Sequence, residues 1–155
     1  MDYVLDPKRS TVGFRGASSL HPIEIRCRAP EGELTLDDDG SGRGSLVVPI
    51  GSLRTGQLVQ DLELRRRLHA RRFKTITTSL TALSPDGAGS GEITFMGVTN
   101  PAEGTLVVER RGEEVRVTGE ASFDVRSFGF DPPNILGMKV HPDVAVTVDL
   151  VFVRL

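Results

Sequence analysis

Apolar and polar residues alternate with a period of two along most of this chain. In residues 23–29 (IEIRCRA), the charged side chains fall on one side and the apolar ones on the other, where Ile25 and Ala29 are the neighbours of Cys27. This alternation is typical of a β-strand with one buried and one exposed face. Comparable segments lie at residues 12–16, 33–37, 45–50, 76–83, 91–96, 105–110, 114–125 and 144–155.

Turn-forming residues separate these segments. Residues 37–42 (DDDGSG) and 110–113 (RRGE) predict turns, and residues 99–101 (TNP) predict the connection between two neighbouring strands. There is no βαβ rhythm, no internal repeat and no linker, so we expect a single domain over residues 1–155. The pattern predicts an all-β fold of eight or nine strands, either a barrel or a sandwich.

One segment differs from the strand pattern. Residues 56–70 lack proline, are rich in good helix formers and place leucines at helical spacing, which predicts one short helix. The segment contains Arg65, Arg66 and Arg67, with Arg71 and Arg72 nearby. This basic run has two interpretations: a contact for an anionic headgroup or membrane surface, and a solvated helix end where cations complement the helix dipole.

Composition narrows the function. The formal net charge is −2, aromatic residues make up 5% and tryptophan is absent, so we expect no nucleic-acid partner. No apolar stretch reaches the length of a membrane span, which predicts no stable membrane insertion. Residues 1–7 (MDYVLDP) do not resemble a secretory leader, and Cys27 is the only cysteine. These features predict a cytoplasmic location and a buried, inert thiol at Cys27.

Several short motifs occur in one order along nearly the whole chain. Together they resemble the YceI-like family, also called polyisoprenoid-binding or lipocalin-like proteins. Departures from the family pattern include Gln57, Gln60 and Met96. The motifs are residues 3–7 (YVLDP), 10–14 (STVGF), 52–56 (SLRTG) followed by Asp61 and Leu64, 73–76 (FKTI), 91–101 (GEITFMGVTNP) and 123–129 (FDVRSFG).

The resemblance implies a single antiparallel β-barrel of about eight strands with one short helix. It implies an apolar interior that takes an isoprenoid chain or similar lipid, with no catalysis established as a family property. The expected ligand-binding residues are those on apolar strand faces, although the same stripes are typical of a filled core. They are Val12, Phe14, Ile25, Ile76, Leu80, Ile93, Phe95, Phe123, Val146, Val148 and Leu150.

The histidines offer a different chemistry. His21 and His141 each precede a proline at a predicted strand start, which would bring both near one mouth of the barrel. They support the alternative of a small-molecule enzyme or a haem- or metal-type cofactor binder. The chain has none of the spacings H-x-E, H-E-x-x-H, C-x-x-C or G-x-S-x-G, so we expect no metal, no cofactor and no catalytic residue.

Three hypotheses follow. The leading one is binding, carriage or sequestration of a polyprenyl, quinone or fatty-acid type ligand in the barrel interior. The second is the enzyme or cofactor binder that uses the mouth histidines. The third is an interaction module with a filled barrel, acting through edge strands or the arginine-rich helix, and a homodimer is left open.

Overall fold

The computed structural model describes residues 1–19, 22–130, 134–135 and 138–155. One helix, α1, spans Leu58–Arg67, and the other regular elements are strands and short 3₁₀ turns. The strands are β1 (Asp2–Leu5), β2 (Thr11–Ser18), β3 (Pro22–Cys27), β4 (Glu31–Leu36), β5 (Gly42–Pro49), β6 (Leu53–Arg54), β7 (Thr75–Leu83), β8 (Ala88–Phe95), β9 (Val98–Arg111), β10 (Glu114–Asp124), β11 (Asn134–Ile135) and β12 (Met138–Arg154).

The sheet closes on itself. Antiparallel pairing runs through β1, β4, β5, β7, β8, β9, β10 and β12, and β12 pairs again with β1. The long β12 pairs with β1 near its C-terminal end and with β2 along its N-terminal half, so β1 and β2 act as two halves of one strand. Likewise β3 pairs with β2, and β4 pairs with β1. The prediction of an antiparallel barrel of about eight strands with one short helix is confirmed.

The break between β1 and β2 is encoded by the Asp-Pro pair of the first motif. Pro7 begins a 3₁₀ turn, and the Asp6 side chain accepts a hydrogen bond from the Lys8 amide at 3.1 Å. The buried Ser10 hydroxyl donates to the Asp6 carbonyl at 2.7 Å and accepts from the Val151 amide at 2.9 Å. This turn lets one strand shift its pairing along β12 without leaving buried polar groups unpaired.

The prediction of a connection at residues 99–101 is wrong. The chain turns at Met96 and Gly97, which have φ values of 52° and 78°, the left-handed pair that a tight hairpin requires. Residues 99–101 lie inside β9. Pro101 is tolerated there because β10 pairs with β9 only from Thr105 onward, which leaves this part of β9 at an edge.

Other boundaries also differ. The helix is shorter than the predicted range 56–70, since it begins after Gly56 (φ 93°) and ends before His69 (φ 50°). Strand β12 begins at Met138, six residues before the predicted start. In β7 a register shift between Leu80 and Ala82 exposes Ala82 and turns Leu83 inward.

One end of the barrel is filled by side chains. Inward side chains of neighbouring strands meet there, as in the register pairs Leu5 with Phe152 and Val115 with Phe152. Leu36 and Val115, which lie at this end, are at most 1% exposed. This end therefore supplies a packed core, and the remaining length of the barrel does not have to be filled for the fold to be stable.

Candidate ligand-binding cavity

The barrel interior contains an apolar cavity of about 360 Å³, whose wall reaches Phe152 at the packed end. A cavity of roughly 150 Å³ lined by apolar side chains already binds benzene, and typical ligand pockets begin at about 300 Å³. The barrel interior therefore has room for a small apolar molecule or for a segment of a longer chain.

All eleven residues expected to bind the ligand lie along the wall of this cavity. Their contact with a ligand stays a prediction, but their position is now defined. Phe14 pairs with Val146 across β2 and β12, and both side chains contribute to the same wall. The sequence analysis missed other residues of the wall, among them Ile23, Leu46, Leu64, Leu68, Leu106, Val117, Val125, Phe128, Phe130 and Val140.

The sequence analysis missed these residues for different reasons. Phe128 and Phe130 lie in and after the 3₁₀ turn that follows β10, where no period of two indicates which side chain points inward. Val125 ends the predicted strand 114–125, whose alternation places it on the same face as Phe123. Leu64 and Leu68 belong to the helical segment, whose inward face depends on where the helix packs. The alternation of residues around Ile23, Leu46, Leu106 and Val117 could have identified them as inward-facing.

Small residues on the inner face keep the cavity open. Gly16, Ala121 and Gly119 lie on the wall. At Gly119 a β-carbon would approach Leu106 to 2.5 Å, whereas at Gly16 a β-carbon would have no atom within 4 Å. Gly16 shares its strand face with Val12 and Phe14, so its missing side chain leaves free volume inside the barrel.

Aromatic rings line the end of the cavity opposite the packed core. Phe95 makes edge contacts with Phe128 and Phe130, with ring centroids 5.7 Å and 6.0 Å apart. His141 lies at the same end and contributes to the wall, although its side chain is exposed.

The helix α1 covers a side of the cavity where strand pairing is incomplete. Strand β3 pairs with β6 only at Arg26 and Cys27, so the rest of its outer edge has no strand beside it in the part of the chain that the structure describes. Leu64, Arg67 and Leu68 from the helical segment line the cavity. The helix thus completes the wall with side chains instead of backbone hydrogen bonds.

Asp61 holds this helix in place. Its carboxylate is 5% exposed and accepts hydrogen bonds from the Thr55 amide at 2.6 Å and the Thr55 hydroxyl at 2.7 Å. Burial disfavours the charged form, but the two Thr55 bonds, with Arg54 and Arg65 nearby, hold the pKa of Asp61 below its usual value. The Thr-Gly…Asp motif is therefore a structural clamp between β6 and α1.

We expect Asp61→Ala to destabilise the protein by about 3 kcal/mol, because two hydrogen bonds to a buried carboxylate are lost. A carboxylate with a lowered pKa contributes stability above its unfolded pKa of about 3.9, and loses it as the pH falls through the folded pKa. The difference between wild type and variant should therefore shrink below about pH 4. Urea unfolding at pH 7 and pH 3 measures this, with the exposed Asp38→Ala as control; equal stability of the Asp61 variant at pH 7 contradicts the clamp.

The histidine site is only partly described. His141 is at the predicted mouth, and His21 lies outside the described residues. His69 is exposed, in a polar cleft beside Arg66 and Arg67 that shares Arg67 and Phe130 with the cavity wall. Within the described ranges, no three His, Cys, Asp or Glu side chains lie close enough together to hold a metal ion.

The single cysteine is buried, as predicted. Its sulfur lies 3.1 Å from the Ser52 hydroxyl, between β3 and the turn before β6. The predicted neighbour on the same strand face, Ala29, is instead exposed beyond the end of β3.

A closed antiparallel barrel with an apolar cavity and one packed end defines the class of small β-barrels that bind apolar molecules. The chain belongs to the YceI-like domain family, whose model matches residues 3–152. The resemblance seen in the sequence motifs is confirmed. No helix among the described residues is long and apolar enough to cross a bilayer.

Solved structures with the same fold are distant in sequence. BcnA from Burkholderia cenocepacia is 16% identical, with a TM-score of 0.85, over 95% of this chain and 98% of that one. A polyisoprenoid-binding domain from Saccharophagus degradans, implicated in plant cell wall breakdown, is 17% identical, with a TM-score of 0.84 over 99% and 98%. The YceI protein of Campylobacter jejuni is 12% identical, with a TM-score of 0.61 over 82% and 84%. No curated protein matches the chain.

Proposed function

We propose that this protein binds, carries or sequesters an apolar isoprenoid or lipid-like molecule inside the barrel. The ligand class is polyprenyl, quinone or fatty-acid type. The observation that carries the proposal is the 360 Å³ apolar cavity, which remains unfilled beside a fully packed core. The polyisoprenoid-binding domain that shares the fold supports the same ligand class.

Hydrophobic burial alone supplies enough affinity. An isoprenoid chain offers no hydrogen-bonding groups, so the wall needs area and shape but no polar contacts. Burying a few hundred Å² of chain at about 25 cal/mol per Å² gives several kcal/mol before the cost of association. Selectivity in such a site comes from length and shape, which suits a carrier that must later release its ligand.

Protein purified without detergent should release an apolar molecule on organic extraction. Mass spectrometry of the extract is expected to show one lipid class in near-stoichiometric amount, because apolar ligands leave an enclosed cavity slowly. Denatured protein extracted in the same way controls for lipid adsorbed on the surface. Repeated preparations that release nothing and do not bind added cis-parinaric acid or geranylgeraniol would overturn the proposal.

The alternative of an enzyme or a haem- or metal-type cofactor binder rests on His141 at the cavity wall. The same preparation discriminates the two functions, since a visible absorption band or stoichiometric metal would support the alternative. A featureless spectrum together with an extracted lipid supports carriage without a cofactor.

The cytoplasmic location and the homodimer stay predictions. Cell fractionation tests the first, and sedimentation velocity tests the second. An apolar small molecule is the proposed partner in either case. The apolar cavity argues against the interaction module, because that hypothesis requires a barrel filled by its own side chains.

A further inference from the structure

The outward face of α1 is unusually apolar. Leu58, Val59 and Leu62 are 72%, 68% and 54% exposed, although each is a large hydrophobic side chain. Leu62 follows Leu58 by four residues and Val59 by three, so the three side chains lie on one side of the helix. Arg66 lies on the same side, one turn further on. We call Leu58, Val59, Leu62 and Arg66 the outer face of α1.

The inner side of the same helical segment faces the cavity. Leu64, Arg67 and Leu68 contribute to the cavity wall, and Asp61 holds the helix in place by accepting a hydrogen bond from Thr55. The exposed apolar patch therefore lies within one helix diameter of the binding site.

The charge around the outer face is strongly positive. Residues 57–74 contain six arginine or lysine residues and two acidic ones, whereas the whole chain has a net charge of −2. Glu63 pairs with both Arg66 and Arg67, and the Arg72 guanidinium lies 5.0 Å from the Phe73 ring centroid. Arg71, Arg72 and Lys74 are exposed. The rest of the chain carries a net negative charge, so an anionic surface would attract this segment more strongly than the remainder of the molecule.

We propose that the outer face of α1 docks on an anionic lipid surface. Apolar side chains insert at the headgroup boundary while basic ones contact lipid phosphates, as in helices that lie in the membrane interface. The helix is short and only three apolar side chains insert, so docking is weak and reversible. The inference extends the proposed function, because it supplies the membrane contact at which an apolar ligand is collected or delivered.

Flotation with lipid vesicles tests the docking directly, without any cavity ligand. Wild-type protein should bind vesicles in which one third of the phosphatidylcholine is replaced by phosphatidylglycerol, and pure phosphatidylcholine vesicles much less. Raising the salt concentration should weaken binding to the anionic vesicles, because screening acts on exposed charges. Failure of wild-type protein to bind anionic vesicles overturns the proposal.

Two variants separate the apolar and basic contributions. The triple variant Leu58→Ser, Val59→Ser, Leu62→Ser should lower vesicle partitioning about 100-fold or more. Arg71→Gln with Arg72→Gln should lower it about 25-fold, at about fivefold for each arginine. The control Val107→Ser removes a side chain that is 55% exposed on β9 and should bind like wild type. A triple variant that binds vesicles like wild type overturns the proposal.

Cavity binding is measured separately with cis-parinaric acid in the absence of vesicles. Unchanged parinaric acid affinity in the triple variant shows that it is folded, so its loss of vesicle binding supports docking. If wild type binds vesicles but releases no lipid on extraction and binds neither parinaric acid nor geranylgeraniol, docking stands and the proposed carriage function fails. If wild type does not bind vesicles, and sedimentation velocity shows a dimer that dissociates in the triple variant, the outer face binds a second copy of the chain. In that case the proposal is wrong.

Discussion

Replacing Gly16 by leucine is expected to abolish useful binding of an apolar ligand while the barrel remains folded. A β-carbon at Gly16 would have no atom within 4 Å, so the new side chain enters free volume instead of displacing a neighbour. It would exclude about four carbon atoms of ligand at about 0.8 kcal/mol each, which is about 3 kcal/mol or a loss of affinity of about 100-fold. Titration with cis-parinaric acid measures the change.

The matched control for this variant is Ala17→Leu. Ala17 follows Gly16 on β2 but is exposed on the outer face, so the same bulk is added outside the barrel. Its ligand affinity should equal that of wild type, and both variants should melt within a few degrees of wild type. If Gly16→Leu binds as tightly as Ala17→Leu, the ligand does not occupy this cavity.

Truncating the packed end of the barrel is expected to cost far more stability than truncating the cavity wall. Leu36 is 1% exposed and is not part of the cavity wall, so Leu36→Ala leaves a void in a close-packed region and should cost about 3 kcal/mol. Ile93 faces the cavity, where part of its surface already has no packing partner. We expect Ile93→Ala to cost about 1 kcal/mol.

Urea denaturation of both variants in ligand-free protein measures this contrast. The change at residue 93 should in turn weaken parinaric acid binding, whereas the change at residue 36 should leave it intact as long as the protein is folded. Equal losses of stability at the two positions would mean that the interior around Ile93 is as tightly packed as the core, and the hollow barrel would have to be abandoned.

The strand segments could be predicted from the sequence, because they follow from local chemistry. Alternation identified the strand segments at the core of the sheet, because a strand with one buried face must repeat every two residues. It also placed Phe14, Ile93 and Val146 on inward faces. It failed where a tight turn or a bulge changed the register, as at Met96–Gly97 and between Leu80 and Ala82. The prediction of a connection at Asn100 and Pro101 was wrong because proline is compatible with an unpaired strand edge as well as with a turn.

The helix, too, could be predicted from the sequence only in part. Helix formers predicted its existence, but the leucines around the helix gave no single buried side. The clamp between Asp61 and Thr55 sets the position of the helix, and with it the inward direction of Leu64 and Leu68, which line the cavity. Leu58 and Leu62 were consequently left exposed, which the spacing alone did not show.

By itself, the sequence determined that this chain forms an antiparallel sheet with apolar and polar faces, and its ordered motifs indicated the family. Whether the apolar face encloses space or fills it was decided by the tertiary structure. Inward side chains from all around the barrel share one volume, and that volume depends on closure, strand stagger and the small residues at Gly16 and Ala121. Because the cavity volume depends on residues that are far apart in the sequence, no single segment predicts it.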